Sequence, residues 1–300
     1  MTAQPQGSCQ QSFQRAGSLE GALATLALGP VTVLAGGTDL YPALASHRAG
    51  SPMLDISALA PLRAITRVGA ETGAAPALRL GALTTWSALA RGALPGWARA
   101  LELAAREVGG VQIQNRGTLG GNLCHASPAA DGVPALLALD ARVELASHRG
   151  VRWLALDQFI LGPRRTARQP DELLTAIELP EPAPTARSTF LKLGHRRYLV
   201  ISIAMVAIAL ELGADARVTG IRLAVGSCGP MARRLPLLEE RLMGRLAPLD
   251  PDSVRALIDA AALAPLSPID DVRGTATYRL DAVGSLIARG VAGLSREALS

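Results

Sequence analysis

The chain has 300 residues, of which 49% are hydrophobic and 18% charged, and this balance indicates an ordered globular protein of two or three domains. The net charge is +5, but the arginines are scattered and only nine aromatic residues could stack on bases, so we expect no nucleic-acid partner. The first residues lack a secretory signal, and the longest uncharged apolar run, 198–210, is too short to cross a bilayer. We therefore expect a cytoplasmic protein without a membrane span.

Three cysteines, Cys9, Cys124 and Cys228, lie far apart in the sequence. They form no C-x-x-C pair, so a zinc ribbon or a disulfide framework is unsupported. Three thiols also cannot supply the four thiolates of an ordinary iron–sulfur cluster. We expect free thiols and no metal site on this chain.

The N-terminal part alternates predicted helices and strands. Ser18 is a predicted N-cap for a helix over 19–28, and Thr38 and Asp39 stand where a helix over 40–48 would begin. Short β-branched or apolar runs predict strands over 31–35, 53–57 and 62–68.

The middle part contains a long glycine-rich segment. A strand over 77–85 is predicted to end at Thr84 and Thr85, either of which can cap a helix over 86–92. An amphipathic helix over 96–109 should stop at the following glycines. The segment "NRGTLGGNLCHASPAAD", 115–131, is predicted to be a loop, and the runs on either side of "HRG" predict a hairpin over 142–156.

The proline-rich segment 181–187 is the predicted domain boundary. Beyond it, strand-like runs precede helical ones, which is typical of an α+β domain with helices on one sheet face. The predicted strands cover 188–193, 199–212 and 217–225, and the predicted helices cover 233–244, 252–264 and 277–294.

Two glycine motifs, "VLAGGTDL" at 33–40 and "GTLGGN" at 117–122, have the composition of an anion cradle. Neither is a Rossmann or P-loop motif. Glycines permit left-handed backbone and close ligand approach, and successive N–H groups can point into one concavity. Thr38, Thr118 and Asn122 add side-chain donors, so the motifs could hold a pyrophosphate; alternatively, each glycine pair is only a tight turn.

Five motifs in order give the chain a family resemblance over nearly its whole length. They are "VLAGGTDL", "LRLGALTT", "QIQNRGTLGGNLCHASPAAD", "LLALDARVEL" and "PIDDVRGTATYR". Together they resemble the FAD-binding (medium) subunit of the molybdenum hydroxylases, of the xanthine dehydrogenase and carbon monoxide dehydrogenase type.

The resemblance implies an α+β fold with a two-subdomain FAD-binding domain of the vanillyl-alcohol-oxidase (PCMH) type and a smaller C-terminal α+β domain. We place the FAD-binding domain at 1–180, with subdomains at about 1–58 and 59–180, and the C-terminal domain at 181–300. In this family both glycine motifs wrap the pyrophosphate of a non-covalently bound FAD.

The resemblance also implies the residues that contact FAD. The first motif and the second contribute Val33, Leu34, Ala35, Gly36, Gly37, Thr38, Asp39, Leu40, Thr118, Leu119, Gly120, Gly121 and Asn122. Single positions elsewhere contribute Val108, Ser127, Asp131, Leu174 and Lys192. No catalytic residue and no metal ligand is predicted.

Some residues depart from the family pattern or carry a second interpretation. Relatives often have a polar or aromatic group near 197–201, where this chain reads "RYLVIS", so Tyr198 is not an assured substitute. Cys124 and His125 could attach a flavin covalently, but two loop side chains packing under the motif is the favoured interpretation. Asp39 could contact the flavin or simply offset a helix dipole. Asp271 and its neighbours up to Arg279 are interpreted as a fold signature or subunit contact.

The resemblance predicts the electron-transfer subunit of a heterotrimeric molybdenum hydroxylase. Substrate would be oxidised at a molybdopterin on a large subunit, and electrons would pass through two [2Fe–2S] centres on a small subunit to the FAD and then to an acceptor such as NAD or oxygen. The chain's own task would be to bind, orient and tune the flavin. A stand-alone flavin-dependent oxidase and a flavin-storage or assembly protein are the alternatives.

Overall fold

The computed structural model describes residues 13–44, 52–69, 75–92, 94–196 and 199–299. The N-terminal part is a small parallel sheet with helices between its strands, in the order β1–β3–β2. Ser18 caps α1 by accepting a hydrogen bond from the amide of Gly21 at 3.1 Å, as predicted. The elements are β1 (Phe13–Arg15), α1 (Leu19–Ala27), β2 (Thr32–Leu34), α2 (Leu40–Leu44) and β3 (Met53–Asp55).

The middle part is a five-stranded antiparallel sheet, in the order β4–β5–β10–β6–β7, with helices on one side. Thr85 caps α3, and Gly109 follows α4 with a φ of 51°, which suits glycine. The first half is β4 (Ile65–Val68), β5 (Ala77–Gly81), α3 (Trp86–Arg91), α4 (Arg99–Glu107), α5 (Val111–Arg116), α6 (Leu119–His125) and α7 (Gly132–Ala138). The second half is β6 (Arg142–Ser147), β7 (Gly150–Ala155), α8 (Leu156–Phe159), β8 (Ile160–Gly162), β9 (Arg165–Thr166) and β10 (Leu173–Pro180), of which β8 and β9 form a separate ribbon.

The C-terminal part is a four-stranded antiparallel sheet, in the order β11–β12–β13–β14. Strand β12 is apolar on both faces because α11 packs on one side of it and α4 and α7 lie on the other. Residues of this sheet, such as Phe190 and Met205, share one hydrophobic core with the helices of the middle part. The elements are β11 (Arg187–Leu193), β12 (Ala204–Leu212), β13 (Val218–Gly226), β14 (Arg233–Arg234), α9 (Pro236–Leu242), α10 (Pro251–Arg255) and α11 (Ala276–Glu297).

The predicted α+β class is confirmed, and most of the predicted elements occur where expected. Several are corrected, among them the strand predicted over 199–212, which begins at Ala204. The segment 115–131 is not a loop, because α6 and the end of α5 occupy most of it. The helix predicted over 252–264 ends at Arg255, and the first residues of the strand predicted over 62–68 belong to a 3₁₀ turn, Ala60–Arg63.

Candidate cofactor site

A cavity of about 560 Å³ lies between the first glycine motif and the helices α5 and α6. This volume is in the range of pockets that hold a drug-sized ligand or cofactor, about 300–1,000 Å³. The lining comes from the N-terminal part, from the start of α3, from 108–131 and from the β8–β9 turn. Its members are Val33, Ala35, Gly36, Gly37, Thr38, Asp39, Leu40, Ala43, Trp86, Val108, Ile113, Gly117, Thr118, Gly121, Asn122, Cys124, His125, Ser127, Ala129, Ala130, Asp131 and Arg164.

The two glycine motifs touch each other at one edge of this cavity. A Cβ atom added to Gly36 would lie 2.0 Å from the backbone oxygen of Arg116 and 3.1 Å from the Cα of Gly117. No side chain fits there, so glycine is required for the close approach of the two segments. Gly37 has a φ of 76°, and it is the residue of the first motif that uses a left-handed backbone.

The second glycine motif is the N-terminal turn of α6. Thr118 caps the helix by accepting a hydrogen bond from the amide of Gly121 at 3.1 Å. The amides of Leu119 and Gly120 donate to the carbonyl oxygens of Thr84 and Ala82, at 2.9 and 2.8 Å. The glycines here therefore permit close packing against the end of β5, and the left-handed nest expected from the sequence is wrong for this motif.

The groups that can bind an anion come mainly from the first motif. Within the described part of the chain, the amides of 36–39 donate no backbone hydrogen bond. The side chain of Thr38 faces Gly117 across the contact between the motifs. Asn122 lines the cavity, and its Oδ1 is buried without a hydrogen-bond partner, which is costly unless a ligand or water supplies one. The amides of 36–39 and the Thr38 hydroxyl are donors that suit a diphosphate. Asn122 Oδ1 is an acceptor, so it suits a hydroxyl or N–H group elsewhere on the ligand.

A buried ion pair supports the inner end of the cavity. The Nζ of Lys192 donates to Asp131 Oδ2 at 2.9 Å and to the backbone oxygen of Glu107 at 3.1 Å. The hydroxyl of Ser202 donates to Asp131 Oδ1 at 2.7 Å. Burial raises the pKa of Asp131, and the ammonium of Lys192 opposes that rise. The pair links the C-terminal sheet to the segment that precedes α7.

Comparison with known proteins identifies the family. The pattern of the family described as "FAD binding domain in molybdopterin dehydrogenase" matches residues 8–182, and that of the "CO dehydrogenase flavoprotein C-terminal domain" matches residues 189–294. The chain belongs to this FAD-binding family.

Curated relatives and solved structures extend the match over nearly the whole chain. The medium subunit of nicotine 6-hydroxylase from Paenarthrobacter nicotinovorans is 33% identical over 86% of this chain and 87% of its own length. A putative xanthine dehydrogenase FAD-binding subunit of Escherichia coli K12 is 33% identical over 92% of each chain. A carbon monoxide dehydrogenase structure from Hydrogenophaga pseudoflava superposes with a TM-score of 0.85 at 26% identity, covering 96% of this chain and 97% of that one. The protein is thus an oxidoreductase subunit of the molybdenum hydroxylase type, and its cofactor is FAD.

Most of the positions predicted to contact FAD line the cavity of this FAD-binding subunit, but five do not. Leu34, Leu119 and Leu174 are buried in the core, at 4%, 0% and 3% exposure, and Gly120 packs on Ala82. Lys192 lies behind Asp131 and is absent from the lining, so its contact with the cavity is indirect. Tyr198 lies outside the described residues.

Nine lining residues were not predicted as contacts: Ala43, Trp86, Ile113, Gly117, Cys124, His125, Ala129, Ala130 and Arg164. Trp86 and Ile113 are apolar walls, and Arg164 reaches the cavity from the β8–β9 turn, where its amide donates to the backbone oxygen of Ala126. His125 lies one turn beyond Asn122 on the same side of α6. Its spacing from Gly121 and Asn122 indicates a shared helix face, but this could not be used because the segment was predicted to be a loop.

The motif near the C-terminus has a structural role in this fold. Arg279 is 3% exposed and donates to the backbone oxygens of Ile203 and Ser227 and to Asp271 Oδ1, at 2.6, 3.1 and 2.7 Å. Asp271 also binds the amide of Arg273. The cluster therefore fastens the start of α11 to the beginning of β12 and the end of β13, the two central strands of the C-terminal sheet.

Among the described residues, no helix is both long and apolar enough to cross a membrane. The same residues contain no group of three or more His, Cys, Asp or Glu side chains that could hold a metal ion.

Proposed function

We propose that this chain is the electron-relay subunit of a heterotrimeric molybdenum hydroxylase. It receives electrons from two [2Fe–2S] centres on a small subunit, which takes them from the molybdopterin of a large, substrate-oxidising subunit. It then passes them to an external acceptor such as NAD or oxygen. The names of its relatives, which include medium subunits and medium chains of dehydrogenases, support such partners.

The cavity is the observation that carries this proposal. Its walls supply backbone amides, hydroxyls and an amide side chain, all of which bind and orient a ligand. The buried charges at its inner end, Asp131 and Lys192, neutralise each other. The arrangement suits a protein whose task is to hold a redox cofactor, since the redox chemistry belongs to the cofactor.

FAD, when bound, exchanges electrons one or two at a time and so links cluster chemistry to two-electron acceptors. The amides of 36–39 and the hydroxyls of Thr38 and Thr118 are the groups that would hold its diphosphate. Val108 and Ile113 would exclude water beside the bound cofactor. Ser202 and Lys192 hold Asp131 in one position, so the end of the cavity it lines is rigid.

The division of the chain follows from the same proposal. The FAD-binding domain occupies 1–180, with subdomains at about 1–58 and 59–180 that contribute opposite walls of the cavity, and the C-terminal domain occupies 181–300. The cofactor is held without a covalent bond, and the complex works in the cytoplasm.

One observation favours a second candidate function, a stand-alone flavin-dependent oxidase. Cys124 and His125 both line the cavity, and both are residue types that attach flavins covalently in related folds. An oxidase of this kind also requires a base beside the flavin and a pocket for an organic substrate.

An anaerobic reduction experiment distinguishes the two functions. The purified chain is loaded with FAD, mixed with heteroaromatic or aldehyde substrates, and the oxidised-flavin absorbance is followed. We expect no bleaching until the molybdenum and iron–sulfur subunits are added, because this chain is then the downstream carrier only. Direct reduction by NADH serves as the positive control for an accessible flavin. Bleaching by an organic substrate without partner subunits would establish the oxidase instead.

A further inference from the structure

One face of α6 lines the FAD cavity along its whole length. His125 lies four residues after Gly121 and three after Asn122, so it projects from the same side of the helix as these two cavity-lining residues. The side chain of His125 is 31% exposed and forms part of the cavity wall. A ligand that fills the cavity beside Asn122 therefore lies next to this imidazole.

His125 also connects the two glycine motifs across the cavity. Its Nδ1 lies 3.7 Å from Oδ1 of Asp39, the residue that follows Thr38 in the first motif, and the Asp39 side chain is 58% exposed. An ion pair forms at this distance only when both ring nitrogens are protonated, because the imidazole is then positively charged. The contact thus joins the N-terminal wall to α6 in a protonation-dependent way.

The charges that face His125 do not by themselves favour an anion. Asp39 contributes a negative charge from the start of α2, and Arg164 contributes a positive one from the β8–β9 turn. Asp131 is paired with the buried Lys192, so this pair adds no net charge. The neighbouring Cys124 is a thiol on the same helix. With a neutral imidazole the wall has no net charge, whereas the diphosphate of FAD is dianionic.

We propose that His125 binds the diphosphate of FAD as an imidazolium and takes up a proton from solvent when the cofactor enters. The inference rests on FAD occupying this cavity, as the proposed function requires. Imidazole is the side chain that changes charge near neutral pH. His125 is a cofactor-binding residue and not a catalytic one.

The test is a calorimetric titration of the cofactor-free chain with FAD at about pH 6 and pH 8, in two buffers with different ionisation enthalpies. We expect wild-type protein to bind more tightly at the lower pH, with a gain that cannot exceed about tenfold per pH unit for one linked proton. His125→Asn should lose proton uptake and bind about tenfold more weakly at pH 6, the size of one charge-assisted hydrogen bond. His148→Asn is the matched control, because His148 lies 3.9 Å from Asp171 but outside the cavity.

A second variant keeps the inference testable if His125→Asn fails to fold. His125→Gln keeps a polar side chain of similar reach that cannot gain a proton near neutral pH, so it should also take up no proton when FAD binds. Wild-type-like proton uptake in either His125 variant would overturn the inference. A wild-type chain that binds no FAD would instead contradict the proposed function, so the two failures are distinguishable.

Discussion

At the level of single residues, the buried pair of Lys192 and Asp131 joins two domains beside the cofactor site. The side chains are 5% and 10% exposed, so each charge depends on the other for its solvation. Lys192 is also the only lysine in a chain whose other basic residues are arginines. The compact ammonium of Lys192 donates to both Asp131 and the Glu107 carbonyl. The guanidinium of an arginine is wider and planar, so it is not an equivalent replacement at this site.

We expect Lys192→Met to lower the free energy of unfolding by about 3–5 kcal/mol, because it leaves Asp131 buried without its counter-ion. Burial already raises the pKa of Asp131, and losing the ammonium raises it further. A raised acid pKa means that the folded state keeps the proton to higher pH than the unfolded chain does. The two unfolded chains titrate alike at Asp131, so the gap between variant and wild type should open as pH rises above the raised folded-state pKa of Asp131 in the wild type.

Urea unfolding of both proteins at about pH 5 and pH 8 measures this effect, and a larger gap at pH 8 is the expected result. Ser202→Ala is the control, since it removes one hydrogen bond to Asp131 but keeps the ion pair. It should cost about 1 kcal/mol. Equal losses in the two variants, or a gap that does not depend on pH, would show that the pair is not the source of the stability.

At the level of elements, the contact between the glycine motifs depends on one missing side chain. Gly36→Ala places a Cβ 2.0 Å from the backbone oxygen of Arg116, and backbone on both sides cannot yield without separating the segments. We expect the variant to lose about 1–3 kcal/mol of stability from overpacking and to purify without FAD.

The flavin content per chain and the thermal midpoint check this prediction. Gly17→Ala is the matched control, because a Cβ at Gly17 would meet nothing within 4 Å and its backbone is not left-handed. It should keep both flavin and stability. A Gly36→Ala protein that retains stoichiometric flavin would mean that the close approach of the two motifs does not shape the site.

The elements that sequence reasoning predicted well are fixed by neighbours in the chain. Ser18 and Thr85 each cap a helix through an amide three residues away, so the signal is local. Helix α6 was missed for the opposite reason. Two adjacent glycines disfavour a helix, and the partners that compensate, Ala82 and Thr84, lie more than thirty residues earlier.

The difference between local and distant contacts also explains which residues of the candidate site could be predicted from the sequence. The resemblance indicated both glycine motifs and Asp131, and these residues line the cavity except Leu34, Leu119 and Gly120. It did not indicate that Lys192 would act through Asp131, because that contact joins residues 61 positions apart across a domain boundary. Nor did composition indicate Arg164, which reaches the cavity from a ribbon whose position depends on tertiary packing.

At the level of the whole molecule, the N-terminal part has a much smaller core than the rest. Its buried cluster has nine of the described apolar residues, and two of these, Leu83 and Leu173, come from the middle part, whereas 37 form the core shared by the middle and C-terminal parts. The smaller core should open more readily, since local stability follows the buried apolar contacts of a unit. Its loop at 33–40 is nevertheless one complete wall of the cavity.

FAD should therefore stabilise the N-terminal part more than any other. A ligand that contacts both walls is bound only when the N-terminal sheet is closed on α6, so binding suppresses the opening of that sheet by mass action.

Hydrogen–deuterium exchange of the chain with and without FAD measures this directly. We expect strands β1, β2 and β3 to exchange quickly in the free protein and to slow markedly when FAD is added. Peptides from β12 are the internal control, because this strand is buried on both faces and should be slow in both states. Equal protection of both regions on adding FAD would mean that the chain opens as one unit, and no change at the N-terminal sheet would remove the first glycine motif from the binding site.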